Sequence, residues 1–298
     1  MLNENKNLKT FLKGLLYIAP VLIILIIFNI YPIIKTFDMS FYSKYNYQKN
    51  IVFERGLDNY AYLLSDPDFF LAIKNTFVYV LLVMPISIGL SLLIAILLNS
   101  NIKLKGFFRS VYFLPFVTSS IAISMVWRWI FHGDHGLLNY FLSIFNIDPI
   151  QWLTDPKYSM TSLVIVSVWR TLGYNIIIFL SGLQNIDEKY ELVAKIDGAS
   201  FMQRVRYVVI PLLSPTLFFV CIITCINGFK VFGSVFALFD KQPGPLNSCL
   251  TMVYYIYNKF YNHYQYGIAS AAALVLFFII VVLNTIQFKI GKKKVNYD

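Results

Sequence analysis

Six times between residues 12 and 290 the chain runs apolar for about two dozen residues: over 12–34, 73–98, 107–131, 159–183, 207–233 and 266–290. A helix needs roughly 20 such residues to cross the hydrocarbon of a bilayer. Lipid offers no partners to backbone N–H and C=O groups, and a helix satisfies them internally. The runs therefore predict an all-α membrane protein of six transmembrane helices. Charge agrees, since 13% of the residues are charged where a soluble domain carries about 25%. Pro20, Pro32, Pro85 and Pro115 fall inside runs, which membrane helices tolerate when neighbours re-satisfy the freed carbonyls.

The first run follows Lys6, Lys9 and Lys13, as the apolar core of a signal peptide would. It is longer than such a core and no small-residue cleavage site follows, so it reads as a retained anchor. With six spans both termini share one side. That side carries Lys6, Lys9, Lys13, Lys103, Lys105, Arg109, Lys189, Lys195, Arg204, Arg206, Lys289, Lys292, Lys293 and Lys294. Against these fourteen stand six acids: Glu4, Asp187, Glu188, Glu191, Asp197 and Asp298. The opposite loops balance, with nine basic and nine acidic residues. Basic loops stay in the cytoplasm, so both termini are expected there. The net charge of +10 is then a topology signal, and nucleic acid is excluded as a partner.

Several chemistries are missing from the sequence. No G-x-x-x-x-G-K-[ST] phosphate loop and no H-E-x-x-H occur. Cys221, Cys225 and Cys249 have neither disulfide nor zinc spacing. His132 and His135 form the one close histidine pair, in an outer loop beside Trp127 and Trp129, where an interfacial turn is expected and no metal site. The core of each span is free of Asp and Glu, which removes the paired carboxylates an intramembrane enzyme needs.

One charged stretch interrupts the apolar pattern between the fourth and fifth runs. Residues 187–197 are good helix formers with Tyr190, Val193, Ala194 and Ile196 near helical spacing. Gly198 suits the left-handed position that ends a helix. Ser200 with Gln203 three residues on has capping-box spacing for a second helix running to Pro211 and Pro215. The segment is predicted to be a helical elbow on the cytoplasmic side, with aliphatic side chains that suit a partner's groove.

The run Ala194-x-Ile196-Asp197-Gly198-Ala199-Ser200, then Val208-x-Ile210-Pro211-Leu212-x-x-Pro215, resembles the "EAA" loop of permease subunits of binding-protein-dependent ABC importers. That loop reads Glu-Ala-Ala, three residues, Gly, nine residues, Ile-x-Leu-Pro. The Glu-Ala-Ala positions here hold Leu192, Val193 and Ala194, with Glu191 one place early. The stretches 59–80, 107–131, 229–238 and 266–277 are similar to the carbohydrate-uptake branch, which includes maltose-, raffinose- and glycerol-3-phosphate-type permeases.

The resemblance implies the type I importer permease fold in the plasma membrane of a bacterium. It divides the chain into a cytoplasmic tail (1–11), a first span with its extracellular loop (12–72), a five-span core (73–290), a coupling loop (186–207) and a basic tail (291–298). It implies that the elbow docks on a cytoplasmic ATPase through Glu191, Ala194, Asp197, Gly198, Ala199, Ser200 and Pro211. The implied partners are a second homologous permease, two copies of that ATPase, an extracellular solute-binding protein and membrane lipid. The chain itself would be non-catalytic and hold no cofactor or metal, with ATP and Mg on the ATPase.

Ionisable residues inside spans are costly and mark solute paths. Arg170 and Lys230 are the two here, accompanied by Asn175, Asn227 and Thr224, with Trp169, Tyr174 and Phe229 nearby. Rings beside amides suit a sugar, while the cations suit a phosphate or carboxylate, and the pair does not choose between a neutral and an anionic solute. Trp169, Arg170, Tyr174, Asn175, Asn227 and Lys230 are the candidate solute path. Their other reading is structural, with Arg170 snorkelling and the amides joining helices. A secondary transporter or channel working without an ATPase is the alternative class.

Overall fold

The computed structural model describes residues 2–99 and 105–294; Lys103 and residues 295–298 of the basic tail lie outside them. The elements in chain order are α1 (Leu2–Leu25), α2 (Tyr31–Met39), β1 (Tyr42–Asn46), β2 (Ile51–Arg55), α3 (Asp58–Ser65), α4 (Pro67–Asn99), α5 (Lys105–Val117) and α6 (Ser120–Ile130). There follow α7 (Leu137–Ile144), α8 (Pro156–Gln184), α9 (Glu188–Ile196), α10 (Phe201–Arg204), α11 (Ile210–Leu212), α12 (Ser214–Phe229), α13 (Gly233–Leu238), α14 (Met252–Tyr257) and α15 (Tyr266–Lys294). Among the described residues, Lys13–Met39, α4, α8 and Tyr266–Lys292 are each long and apolar enough to span a bilayer, and two bent helix pairs bring the candidates to six.

The run over 107–131 is broken, and the second helix of the elbow bends into the fifth span between Pro211 and Pro215. Ser110–Val117 meets Ser120–Ile130 at 106°, and Phe201–Leu212 meets Ser214–Phe229 at 71°. At the first break Ser119 is extended, with ψ 129°. The Thr118 hydroxyl donates back to the Leu114 carbonyl at 2.8 Å, competing with the helix ladder. The second bend falls at Leu213, between Pro211 and Pro215, neither of which supplies an N–H. A turn of wider π helix, Val205–Val209, precedes them and relieves the clash a proline ring makes with the turn before it. The same device, Ile26–Ile30 ahead of Pro32, links α1 to α2.

The chain divides into two compact units, Met1–Asp66 with Ile256–Val275, and Pro67–Tyr255 with Leu276–Asp298. In the first, the apolar span of α1 and α2 leads to a feature absent from the all-α reading, an antiparallel hairpin. Tyr42 pairs with Arg55 and Asn46 with Ile51, and Lys44 meets Glu54 across the strands at 2.7 Å. The hairpin is fastened to α3 by Asn59, whose amide donates to the carbonyls of Ser40 and Tyr42 at 2.8 and 3.0 Å. Lys259 pairs with Asp66 at 3.0 Å and donates to the Tyr62 hydroxyl at 2.9 Å.

In the second unit α4 lies along α8, with Ile88, Ala95 and Leu98 packed on Ile176, Phe179, Leu180 and Leu183. Leu213 and Val220, from the bend and from α12, close this core. At Gly173 α5 approaches α8 closely: a Cβ there would sit on the Tyr112 carbonyl. Small residues let membrane helices approach in this way. Thr76, fully buried, accepts from the Met252 N–H at 2.9 Å and donates to the Ala72 carbonyl at 2.7 Å. Asn75 donates to the carbonyls of Asn247 and Leu250. Side chains of α4 thus anchor the irregular stretch before α14.

Candidate functional site: a polar cavity and a capped elbow

A cavity of about 450 Å³ opens among the helices of the second unit. Its best-defined wall is α8, which contributes Ser167, Arg170, Thr171, Tyr174 and Asn175. Steps of three and four residues put these on one helix face, so a polar stripe follows directly from the spacing. Facing it are Thr224, Asn227 and Gly228 of α12 and the segment Lys230–Ser234. Tyr79 of α4, Phe116 of α5 and Ser120 of α6 complete the polar and aromatic lining. Phe116 and Tyr174 stack at 4.7 Å.

The fifth span is interrupted at this cavity. The Lys230 N–H bonds back to the Asn227 carbonyl at 3.2 Å, closing α12, and Phe232 leaves helical geometry at φ −145°, ψ −60°. An interrupted helix exposes backbone carbonyls, which need partners at membrane depth. Thr251 supplies one, its hydroxyl donating to the Val231 carbonyl at 3.1 Å.

The unpaired atoms are informative. Arg170 Nε and Asn175 Nδ2 are buried without a hydrogen-bond partner. Neither Arg170 nor Lys230 has an acidic partner among the described residues, and no Asp or Glu lines the cavity. Lys230 is exposed, whereas Asn175 is buried.

Of the six candidate path residues, Arg170, Tyr174, Asn175, Asn227 and Lys230 share this cavity, and Trp169 does not. One step along α8 from Arg170 turns a side chain by about 100°, and Trp169 packs edge-on against Trp127 at 5.6 Å. Phe229 is turned away too, against Phe77 at 5.2 Å. Tyr79, Phe116, Ser120, Ser167 and Thr171 were not candidates from the sequence; Ser167 and Thr171 follow from helical spacing once Arg170 is chosen.

The elbow is built from two mutually capped helices. Asp187 accepts from the Lys189 N–H at 3.0 Å to start α9. At the other end Ala199 N–H reaches the Ala194 carbonyl at 2.9 Å and Gly198 N–H the Lys195 carbonyl at 3.1 Å. This is the Schellman pattern, with Gly198 at φ +77°. Ser200 then opens α10 with a full capping box: its N–H donates to Gln203 Oε1 at 2.7 Å, and the Gln203 N–H to Ser200 Oγ at 3.4 Å. Glu191, one place early against the motif, pairs with Lys195 at 3.1 Å and lies 3.8 Å from Arg204 Nε. Arg204 also donates to the Ala199 carbonyl at 2.8 Å. One carboxylate thus joins the two arms. Tyr190, Leu192, Val193, Ile196, Phe201 and Met202 are all exposed on the elbow, an apolar surface that calls for cover. Ala194 is half-buried, Asp197 is exposed, and Pro211 stands at the hinge into α12.

On the loops at the far end of the unit, Arg128 and Asp240 pair at 2.9 Å. The hydrogen bond from Arg128 holds the Asp240 carboxyl below its usual range. His132 accepts through Nδ1 from the N–H groups of Asp134 and His135, closing the turn expected there.

The comparisons with known proteins follow this geometry. The family model described as "Binding-protein-dependent transport system inner membrane component" matches residues 87–295. The lactose transport system permease protein of Rhizobium radiobacter is 33% identical over 287 residues, covering 95% of each chain. The arabinooligosaccharides transport system permease protein of Bacillus subtilis (strain 168) is 33% identical over 278 residues, covering 93% of this chain and 87% of that one. In fold, the chain is similar to one from a bacterial ABC transporter involved in the import of the acidic polysaccharide alginate, with a TM-score of 0.84, 21% identity and 99% of both chains covered. The bent and interrupted helices, the polar cavity and the capped elbow therefore belong to a multi-pass membrane protein of the binding-protein-dependent transport system inner membrane component family.

Proposed function

We propose that the chain is a non-catalytic permease subunit of an ATP-driven importer that carries a sugar or oligosaccharide handed over by an extracellular binding protein. The elbow carries this reading. It is a doubly capped, cross-braced projection with an exposed apolar surface, suited to seat in a groove and transmit force without deforming. In this reading Glu191, Ala194, Asp197, Gly198, Ala199, Ser200 and Pro211 couple the spans to a cytoplasmic ATPase present in two copies. ATP and Mg sit on that partner, and this chain holds neither. A second homologous permease forms the other half of the path. The names of the lactose and arabinooligosaccharide relatives support a carbohydrate solute.

Solute passes through the cavity between α8 and α12, where Arg170, Tyr174, Asn175, Asn227 and Lys230 meet. Both termini face the cytoplasm of a bacterium, as the Lys/Arg bias predicts. The test is purification of the tagged chain from its native membrane in mild detergent, alongside a variant carrying Gly198→Glu and Ala199→Glu. Co-purification of an ATPase and a second six-span subunit is expected, with the ATPase alone lost from the variant. Recovery of the chain without an ATPase in either form would favour a secondary transporter.

A further inference from the structure

We infer that the solute carries a negative charge: an acidic sugar, bearing a carboxylate or a phosphate, paired in transit by Arg170 and Lys230. The inference rests on the importer reading above and names the substrate class of the same cavity. Both cations line one cavity that no Asp or Glu enters. Neither has an acidic partner among the described residues, and Arg170 Nε is buried with no hydrogen-bond partner among them. The Arg170 Nε, held away from bulk water, needs a counter-charge or strong acceptors, and the exposed Lys230 adds a second positive charge to the lining. The Asn175 amide nitrogen, on the same wall, is also an unpaired buried donor. A neutral sugar hydroxyl accepts one such bond but leaves the guanidinium uncompensated once water is expelled. A carboxylate or phosphate supplies both the charge and the paired acceptor oxygens that a guanidinium fits. The stacked Phe116 and Tyr174 rings add an apolar surface for the sugar body, so the cavity suits a sugar acid better than a bare ion.

The experiment uses the complete importer, with its partner permease, ATPase and binding protein, in a host that lacks sugar uptake. Four labelled probes are offered: maltotriose and raffinose as neutral sugars, trigalacturonate for the carboxylate and glucose 6-phosphate for the phosphate. An acidic probe is expected to enter at least about 10-fold faster than either neutral one, and the two acidic arms separate carboxylate from phosphate. Arg170→Gln and Lys230→Gln are each expected to lower that uptake by roughly 10- to 100-fold, the range of one charge-assisted hydrogen bond. Arg170→Lys should restore part of it. Co-purification of the ATPase with each variant shows that the complex still assembles. Uptake of a neutral probe as fast as the acidic ones, or acidic uptake indifferent to both charge-removing variants, overturns the inference. ATP-driven entry of a neutral sugar would leave the importer reading standing, whereas a complex without an ATPase would remove that reading itself.

Discussion

Gly198 separates two ways in which the elbow can fail. Its φ of +77° is a conformation that L side chains avoid, yet a Cβ built there meets nothing within 4 Å. In the chain alone a substitution therefore carries only a backbone penalty. For Ala this is roughly 1–2 kcal/mol, a shift of about 5- to 30-fold in the population of the intact turn. Asn visits the left-handed region more readily and should cost less than Ala, while β-branched Val should cost the most. Solute-stimulated ATP hydrolysis by the reconstituted importer reads the effect. If backbone conformation governs coupling, activity falls in the order Gly, Asn, Ala, Val. If a docked partner fills the space above Gly198, size governs instead and the order becomes Gly, Ala, then Asn and Val. Wild-type coupling in Gly198→Val would refute the idea that the Schellman turn matters to transmission.

Three further outcomes are expected. Thr76→Val keeps the shape of a fully buried side chain but orphans the Met252 N–H, and should cost about 1–3 kcal/mol, measured as lowered thermal stability in detergent. Gly173→Ala places a methyl group on the Tyr112 carbonyl; forcing α5 off α8 should cost about 1–3 kcal/mol, with a larger loss for Gly173→Leu in the same assay. Lys259→Met removes the cation from a pair that is 12% and 9% exposed and should destabilise by about 3 kcal/mol at neutral pH. Burial pulls the Lys259 ammonium down, but the hydrogen bonds it donates to Tyr62 and Asp66 leave it raised on balance. A raised folded pKa means that the pair contributes fully below about pH 10 and is lost as pH climbs through the folded value. The wild type should therefore show an alkaline loss of stability that Lys259→Met lacks.

What could be read from the sequence follows the strength of each physical signal. Apolar runs of spanning length are loud, because lipid enforces them over many residues at once. The elbow was legible down to its caps, since Gly198 and the Ser200–Gln203 pair are chemical necessities of two helix ends placed back to back. The 106° break after Val117 was hidden, because Thr118 and Ser119 interrupt an apolar stretch too briefly to change its average. The hairpin over 42–55 was hidden too. Its strands are five residues each, and polar side chains blur their alternation. In the cavity, the cost of burying charge singled out Arg170 and Lys230, but proximity in sequence was a poor guide to their company. Trp169 is adjacent to Arg170 and turned away, whereas Ser167 and Thr171 share its face.

The interruption at Val231–Phe232 would limit how far a push from the elbow travels in the proposed importer. The last helical bond of that stretch runs from the Val231 N–H to the Gly228 carbonyl at 3.2 Å, Phe232 leaves helical geometry, and α13 is packed on α6. If the elbow couples as proposed, a rotation entering at Pro211 would be delivered through α12 to the cavity wall at Asn227 and would end there. The fifth span is built as two members with a joint between them, of which the coupling reading makes α12 the driven one. In the proposed importer, displacement would be concentrated where Asn227 and Lys230 stand, so a small stroke at the elbow would change the shape of the cavity before it disturbed the loops beyond α13.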